Sequence, residues 1–331
     1  MKTAILELFQ QKILSRQSAA ELLVNITNGA FSPAQTAALL ATFQVRGITV
    51  EELAGFRDAL RDMCLRVDLS EFETIDLCGT GGDGKDTINI STLSSFVVAA
   101  AGGKVAKHGN YGVSSVCGSS NIMEHFGYRF SSDNDKLKRE LDRAGICFMH
   151  APLFNMAMRN VADVRRQLGV KTIFNMLGPL VNPSFPNAQM AGVFSAELAR
   201  IYSYLFQQEG KRYAVVFSLD GYDEVSLTSP FKFFSNNGEG LLEPEDLQLP
   251  DLLPADITGG RTVDDAARIF IDIIKGNGTG AQNAVVAANA GIALQVIRPE
   301  QPLSSCIETA MEVLTSGSAF TNFETLISLN R

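Results

Sequence analysis

A glycine-rich segment, Gly79-Thr-Gly-Gly-Asp-Gly84, follows a short apolar run over 74–78. Glycines at this spacing allow a tight turn whose backbone N–H groups converge on a phosphate. The segment fits the dinucleotide fingerprint, but that fold needs an acid about twenty residues further on, and the stretch from Thr87 to Met123 has none. A P-loop is excluded because Asp86 stands where Ser or Thr must follow Lys85. We therefore predict an anion-binding loop of neither class.

The stretch from Thr87 to Met123 contains no carboxylate, although the chain is acidic overall. Chance exclusion of acids over such a length is improbable at this composition. A strand expected over 104–106 places the following residues at its carboxyl end, where open α/β sheets bind their ligands. The stretch therefore predicts a pocket for a hydroxyl-rich anion. Its polar side chains are Asn89, Ser91, Thr92, Lys104, Lys107, His108, Asn110, Ser114, Ser115, Ser119 and Ser120.

An acidic motif, Asp220-Gly-Tyr-Asp223-Glu224, directly follows an apolar strand expected over 213–217. Adjacent carboxylates after a strand suit Mg²⁺, a hard ion that prefers oxygen ligands and is usually shared with substrate phosphates. Taken alone, the motif is better explained as a solvated acidic turn. Combined with an anion loop that lacks carboxylates, it predicts a magnesium-bound polyphosphate held between two distant segments.

The elements that must position these motifs are of two kinds. Residues 1–70 carry capping boxes at Ser18–Glu21, Ser32–Gln35 and Thr49–Glu52, which predict a small all-α unit. From residue 74, short apolar runs alternate with helical stretches over 195–208, 263–274 and 282–297, while 231–253 is expected to be irregular. This alternation indicates a mostly parallel sheet covered by helices. The predicted fold is α/β, with a helical domain over 1–70 and a larger α/β domain over 71–331.

Composition excludes several classes of protein. The 331 residues are 46% hydrophobic and 19% charged, which is typical of a globular chain rather than a disordered or fibrous one. A net charge of −8 argues against a nucleic-acid or anionic-membrane surface. The five cysteines form no CxxC pair, which favours reduced thiols. With no bilayer-length apolar run and no signal-peptide pattern, we expect a cytoplasmic protein without membrane or nucleic-acid partners.

The ordered set of motifs resembles the anthranilate phosphoribosyltransferases, enzymes of tryptophan biosynthesis, over essentially the whole chain. The matching segments are Asp76-Leu-Cys-Gly79-Thr-Gly-Gly-Asp83, Asn89-Ile-Ser-Thr92, Lys107-His-Gly-Asn110, Gly178-Pro179-Leu-Val-Asn182-Pro183 and the acidic motif. Pyrimidine nucleoside phosphorylases are similar in fold, but their glycine loop has a Lys-His-Ser lead-in that Asp76-Leu-Cys78 does not match. The resemblance implies transfer of a phosphoribosyl group from 5-phosphoribosyl 1-diphosphate (PRPP) to anthranilate.

The resemblance also implies roles for individual residues. The PRPP contacts would be Gly79, Gly82, Asp83, Thr87, Asn89, Ser91, Thr92, Lys107, Ser115 and Ser119. Two Mg²⁺ ions would be held by Ser91, Asp223 and Glu224. Anthranilate would lie near Gly79, His108 and Asn110, with Arg165 facing its carboxylate. Lys107, His108, Asn110 and Arg165 would then neutralise charge and align the reactants, with no general base assigned.

The sequence departs from the family pattern at several positions. Tyr111 stands in place of a common arginine, Val116 in place of a lysine and Cys117 in place of a serine, while Phe217-Ser218 replaces a His-Gly pair. Two cations are therefore absent from the phosphate side. The resemblance further implies a homodimer formed by the N-terminal helices, with a contribution from the segment 162–183. The alternatives are a pyrimidine nucleoside phosphorylase-like enzyme and a non-catalytic nucleic-acid-binding relative.

Overall fold

The structure of the chain, a computed structural model, describes residues 2–112 and 115–330. Ser114 of the carboxylate-free stretch lies outside these residues. The helices are α1 (Lys2–Phe9), α2 (Arg16–Thr27), α3 (Pro33–Arg46), α4 (Val50–Met63), α5 (Ile90–Ala100), α6 (Ser119–His125), α7 (Asn134–Ala144), α8 (Ala151–Phe154), α9 (Arg159–Leu168), α10 (Ala196–Glu209), α11 (Val263–Asp272), α12 (Gly280–Ile297), α13 (Leu303–Thr315) and α14 (Ser318–Ser328). The strands are β1 (Thr74–Gly79), β2 (Lys104–Gly109), β3 (Ile146–His150), β4 (Ala188–Gly192), β5 (Arg212–Ser218), β6 (Phe231–Ser235) and β7 (Gly238–Leu242).

The helical unit is built from two stretches of chain, Met1–Arg66 and Ala151–Pro183. The side-chain amide of Asn160 donates a hydrogen bond of 2.6 Å to the carbonyl of Thr27. The guanidinium of Arg61 donates one of 2.8 Å to the carbonyl of Leu180. These bonds tie the second stretch to the first. The expected bounds were 1–70, with a contribution from 162–183.

Local capping chemistry sets where the first helices begin. The capping boxes expected at Ser32–Gln35 and Thr49–Glu52 are both present. The one expected at Ser18–Glu21 is wrong, because helix α2 begins after Ser15, whose hydroxyl accepts the N–H of Ser18 at 3.1 Å. Ser15 has the extended backbone that an N-cap requires (φ −64°, ψ 159°), and Ser18 lies inside the first turn.

The α/β unit comprises Val67–His150 and Ser184–Arg331 and is organised around a single sheet. In the described residues the strand order is β3-β2-β1-β4-β5-β6-β7, and β1 to β5 pair in parallel. Strands β2 and β3 therefore lie on one side of β1, and β4 and β5 lie on the other. The order reverses between β1 and β4, and such a reversal opens a crevice at the carboxyl ends of the strands. The predicted class, a small helical domain with a mostly parallel α/β domain, is confirmed.

Apolar packing covers both faces of the sheet. Ile75, Leu77 and Val216 contribute to one large buried cluster with α5, α12 and α14. Helix α12 is buried from Asn283 to Leu294, as its mainly apolar sequence requires. Residues that alternate with these, such as Tyr213 beneath α10, face the other side. In the part of the chain that the structure describes, no helix combines the length and the apolar character needed to cross a membrane.

The stretch 231–253 contains a β-hairpin, and the expectation of an irregular segment is wrong there. Strand β6 pairs antiparallel with β5 on one side and with β7 on the other. The turn is Asn236-Asn237-Gly238, in which Gly238 has a φ of +120°. An Asn-Gly pair between two short apolar runs is a hairpin signal that the polar composition of the stretch obscured.

Candidate active site

Strand β1 delivers the glycine loop to the crevice between β1 and β4. Gly81, Gly82 and Gly84 have φ angles of +66°, +74° and +77°, a region that favours glycine. A Cβ on Gly79 would come within 2.3 Å of a carboxylate oxygen of Asp223. The glycines are thus needed both for the turn and for the close approach of the acidic motif.

The two segments predicted to share a ligand are in direct contact. The backbone N–H of Gly81 donates to Oδ2 of Asp223 at 2.6 Å, and Oε1 of Glu224 accepts the N–H of Ser91 at 3.0 Å. Ser91 lies in the first turn of α5, where unpaired N–H groups favour a negative charge. The glycine loop, the start of α5 and the acidic motif therefore form one wall.

Burial of the acidic pair strongly affects its protonation. Burial, followed by the neighbouring charge of Asp83, raises the pKa of Asp223 to about 7. The pKa of Glu224 is also raised well above its ordinary value, first by burial and then by Asp223 and Asp83. A bound cation would reverse these effects by stabilising the ionised carboxylates.

A pocket lies against this wall. Its lining comes from β1, β4, β5, α5, α12 and the acidic motif: Leu77, Cys78, Gly79, Ser91, Ser94, Met190, Gly192, Val216, Asp223, Glu224 and Asn289. The pocket occupies the point where the strand order reverses, the general ligand position of open α/β sheets.

Oxygen ligands for Mg²⁺ are present at this pocket. Ser91, Asp223 and Glu224 all line it and offer the hydroxyl and carboxylate oxygens that the ion prefers. Among the described residues, no three or more His, Cys, Asp or Glu side chains form a ready-made metal cage. Such a donor set fits an ion that takes its remaining ligands from water and substrate phosphates.

Strand β2 extends further than the sequence indicated, which moves two predicted site residues into the sheet. Pairing with β3 continues through Lys107, His108 and Gly109, so the expected end at residue 106 is wrong. Lys107 is 1% exposed, and its amine donates to the carbonyl of Leu77 at 2.6 Å and approaches the hydroxyl of Ser91 at 3.5 Å. Burial lowers its pKa. Lys107 thus lies beneath Ser91 rather than at the pocket surface.

His108 and Asn110 occupy different positions around the end of β2. His108 is buried, and its backbone N–H donates to the carboxylate of Asp76 at 3.1 Å. Its side chain points to the face of the sheet opposite that of Lys107, because successive strand residues alternate. Asn110 follows the strand, and its carbonyl accepts the N–H of Ser120 and the hydroxyl of Ser119.

The remaining predicted donor contacts lie in the α/β unit, on the glycine loop or the segments that follow it. The amide of Asn89 donates to the carbonyl of Cys117 at 2.9 Å, which joins the start of α5 to the serine loop. Asp83 accepts the N–H of Lys85 at 3.0 Å. Thr87 pairs with Thr258 in an isolated bridge. Gly82 and Thr92 are buried, and Ser115 and Ser119 are partly buried in the serine loop and at the start of α6.

Arg165 belongs to the helical unit. It lies on α9, with its guanidinium 5.3 Å from the centre of the Phe174 ring, and burial lowers its pKa. The neighbouring Arg166 is exposed and pairs with Asp163 at 2.6 Å. The two arginines therefore differ in their surroundings, and Arg165 is the one held against an aromatic face.

The residues that depart from the family pattern have defined contacts. The Tyr111 ring packs edge-on against His150, with centroids 4.8 Å apart, and His150 shares a hydrogen bond of 2.8 Å with Ser120. Val116 is exposed and Cys117 is buried. The hydroxyl of Ser218, which replaces the family's glycine, donates to the carbonyl of Glu224 at 2.6 Å and so fixes the backbone of the acidic motif.

Sequence reasoning missed two further supports of the site. Asn289 on α12 accepts the N–H of Val225 at 3.1 Å and donates to its carbonyl at 2.8 Å, which fixes the residue after Glu224. An asparagine in the middle of a mainly apolar helix was the available signal. Lys85, directly after the glycine loop, places its ammonium 4.5 Å from the centre of the Tyr222 ring.

Comparison with known proteins shows the family of the chain. Residues 2–64 match the helical bundle domain of a glycosyl transferase family, and residues 71–320 match its α/β domain. The anthranilate phosphoribosyltransferase of Flavobacterium psychrophilum is 53% identical over 330 residues, covering 100% of both chains. The chain belongs to the anthranilate phosphoribosyltransferase family.

Solved structures of anthranilate phosphoribosyltransferases share the whole fold. The enzyme from Thermus thermophilus superposes with a TM-score of 0.93 at 32% identity, covering 99% of each chain. The enzyme from Saccharomyces cerevisiae, in complex with PRPP and Mg, gives a TM-score of 0.87 at 25% identity, covering 96% of this chain and 93% of the other.

Proposed function

We propose that this chain transfers the phosphoribosyl group of PRPP to the amine of anthranilate, giving N-(5-phosphoribosyl)anthranilate and diphosphate in tryptophan biosynthesis. The observation that carries the proposal is the contact between Asp223 and the glycine loop, 2.6 Å from Gly81 N–H to carboxylate. It brings a phosphate-binding turn and a pair of metal-type ligands to one pocket, which is what a magnesium-bound diphosphate requires.

The donor side of the reaction would be held by the pocket wall. Gly79, Gly82, Asp83, Thr87, Asn89, Ser91, Thr92, Ser115 and Ser119 are the proposed PRPP contacts, whereas Lys107, also expected from the sequence, is buried beneath Ser91 and would act without direct contact. Ser91, Asp223 and Glu224 would hold two Mg²⁺ ions, which when bound neutralise charge on the diphosphate. Lys107 would add positive charge beneath Ser91 and so help to neutralise the diphosphate, since its amine lies 3.5 Å from the hydroxyl of Ser91.

The reaction breaks one bond and forms another at the anomeric carbon. The anthranilate nitrogen supplies its electron pair to that carbon, the carbon–oxygen bond breaks, and its electrons leave on the diphosphate. The amine releases one proton, and we assign no general base for it. Charge stabilisation of the leaving group and alignment of the two substrates are the main contributions expected from this chain's residues.

The acceptor side is proposed to involve Gly79, His108, Asn110 and Arg165. A guanidinium fork suits a carboxylate, and Phe174 holds that of Arg165 in place. Arg165→Ala should raise the apparent KM for anthranilate about tenfold, with the KM for PRPP unchanged. The exposed neighbour gives the matched control, Arg166→Ala, which should behave as the unaltered protein. An effect of Arg165→Ala confined to PRPP would contradict this role.

A homodimer through the helical unit is the proposed assembly. Several large apolar side chains of this unit are exposed to solvent, among them Leu6, Phe9, Ile13 and Val45, the last 89% exposed. Apolar side chains gathered on one small unit suit association with a second copy. Light scattering after size-exclusion chromatography should give twice the mass of one chain, and a monomer at micromolar concentration would reject the dimer.

The activity itself can be tested directly. Purified protein mixed with anthranilate, PRPP and Mg²⁺ should quench anthranilate fluorescence, and no change at any Mg²⁺ concentration would reject the proposal. Thymidine or uridine with inorganic phosphate should release no free base. Release of base without loss of anthranilate would favour a nucleoside phosphorylase instead.

A further inference from the structure

The pocket has few positive charges for a ligand as anionic as a diphosphate. Asp83, Asp223 and Glu224 act on one another electrostatically there. Lys107 is buried and bonded to the carbonyl of Leu77. Lys104 points away, because its amine donates to carbonyls of Leu141 and Asp142 at the end of α7. The carboxylate-free stretch therefore places no lysine ammonium directly at the pocket surface in the described residues.

Lys85 provides a cation directly after the glycine loop, next to the wall that carries the carboxylates. It follows Gly84 at the end of the glycine loop, is partly buried, and its backbone N–H is fixed by Asp83 at 3.0 Å. Its ammonium lies 4.5 Å from the centre of the Tyr222 ring. No carboxylate within the described chain lies at ion-pair distance from this ammonium, although Asp83 and Asp86 are close in sequence.

Tyr222 holds this cation at the acidic motif. The Tyr222 residue is 4% exposed and immediately precedes Asp223, whose carboxylate accepts the N–H of Gly81. The ring thus fixes Lys85 across the same junction that joins the glycine loop to the acidic motif. An aromatic face attracts an ammonium while leaving its N–H donors unpaired, so the cation stays available to an anion.

We propose that Lys85 binds the diphosphate group of the donor, with Tyr222 as the platform that positions its ammonium. The inference rests on the proposed function. A lysine ammonium is a point charge on a flexible stem, and a short movement from the ring to a phosphate oxygen exchanges a cation–π contact for a charge-assisted hydrogen bond. Lys85 thereby supplies charge on a phosphate side that carries Tyr111 and Val116 instead of cations.

The test compares Lys85→Met with Lys275→Met in the full chain. Lys275 is a matched control because its ammonium also lies over an aromatic ring, 4.7 Å from the centre of Phe320 on α14. Lys85→Met should raise the KM for PRPP about tenfold, the loss expected for one charge-assisted hydrogen bond. The KM for anthranilate and both constants of Lys275→Met should stay within about twofold of the unaltered protein.

Two further measurements separate binding from general disturbance. Calorimetry with inorganic diphosphate and Mg²⁺ should show the same loss of affinity in Lys85→Met, and Lys85→Arg should restore most of it because it keeps the charge. Tyr222→Phe should keep PRPP binding, whereas Tyr222→Leu should weaken it. Equal increases in both KM values, or unchanged diphosphate affinity in Lys85→Met, would overturn the inference.

The outcomes also distinguish this inference from the proposed function. If the unaltered protein turns over anthranilate and Lys85→Met has the same KM for PRPP, the role of Lys85 is wrong and the proposed function is unaffected. If the unaltered protein binds diphosphate in a Lys85-dependent way but forms no product, the proposed transferase fails and the role of Lys85 stands.

Discussion

Glu52 in the helical unit and Asp223 in the α/β unit are both buried carboxylates, but their surroundings differ. Both oxygens of Glu52 accept from the guanidinium of Arg46, at 2.7 and 2.8 Å, and also from backbone N–H groups of Leu14 and Thr49. Asp223 accepts the N–H of Gly81 at 2.6 Å and the hydroxyl of Thr80 at 3.4 Å. No cationic side chain pairs with it in the described residues.

The difference distinguishes a structural carboxylate from a ligand-binding one. Glu52 has its countercharge within the fold, so its burial is fully compensated. Within the described residues, Asp223 and Glu224 have hydrogen bonds but no cationic side chain at ion-pair distance, and burial raises the pKa of both. A buried acid left in that state is suited to receive a cation from outside the chain.

Removal of the charge of Asp223 and Glu224 tests this difference and should have the largest effect. Asp223→Asn combined with Glu224→Gln should lower the turnover rate by at least about 10³-fold, because the proposed metal ligands and their charge are lost. Circular dichroism should show an intact fold. A rate within tenfold of the unaltered protein would show that the metal lies elsewhere.

A substitution of Glu52 tests whether the buried carboxylate of the helical unit has a purely structural role. Glu52→Gln should lower the free energy of unfolding by about 3 kcal/mol, because the largely buried charge of Arg46 loses the carboxylate that balances it. Denaturant titration measures this loss. Turnover per folded molecule, assayed well below the unfolding temperature, should be unchanged, and a selective loss of turnover would place Glu52 in the active site.

A third variant tests the fit between the glycine loop and the acidic motif. Gly79→Ala puts a methyl group 2.3 Å from the carboxylate of Asp223, so that carboxylate must move. We expect turnover to fall by about 10²-fold, the usual consequence of misplacing a catalytic group. Gly240 on β7 has no atom near its hypothetical Cβ, so Gly240→Ala is the control that should leave kinetics unchanged.

His150 is a buried base, and its titration should have the smallest effect, a change in how stability depends on pH. Burial lowers the pKa of His150, against an opposing effect of Glu124 and with a smaller contribution from His108. His150 therefore takes up a proton near pH 6.5 in the unfolded chain but only at lower pH in the folded chain. The free energy of unfolding falls as the pH drops below about 6.5. His150→Phe should reduce this slope by up to about 1.4 kcal/mol per pH unit. Equal slopes in urea titrations from pH 7 to pH 5 would refute it.

Local chemistry explains what the sequence predicted well. The capping boxes at Ser32–Gln35 and Thr49–Glu52 depend on residues three apart, and the strand-to-glycine-loop turn depends on one short run. The glycine loop and the acidic motif were predicted to share one ligand, because a polyphosphate bound at a loop needs its charge neutralised from elsewhere in the chain. These features need no knowledge of which strands are neighbours.

What the sequence did not predict depends on tertiary pairing. The extension of β2 through Lys107 and His108 exists because β3 lies alongside it, and no local property of two polar residues indicates that pairing. The burial of Lys107 beneath Ser91 follows from the same extension. The support from Asn289 depends on the packing of α12 against the acidic motif, and the contact of Lys85 with Tyr222 depends on the meeting of that motif with the glycine loop.

The hydrogen bond between Gly81 and Asp223 joins residues that are 142 positions apart in the chain. Contacts of such long range form late, after the intervening loop has been closed at an entropic cost. During synthesis the ribosome must complete β4 and β5 before either half of the pocket meets the other. A donor and a metal bound at this pocket would therefore stabilise only the fully folded molecule and would not assist the early steps of folding.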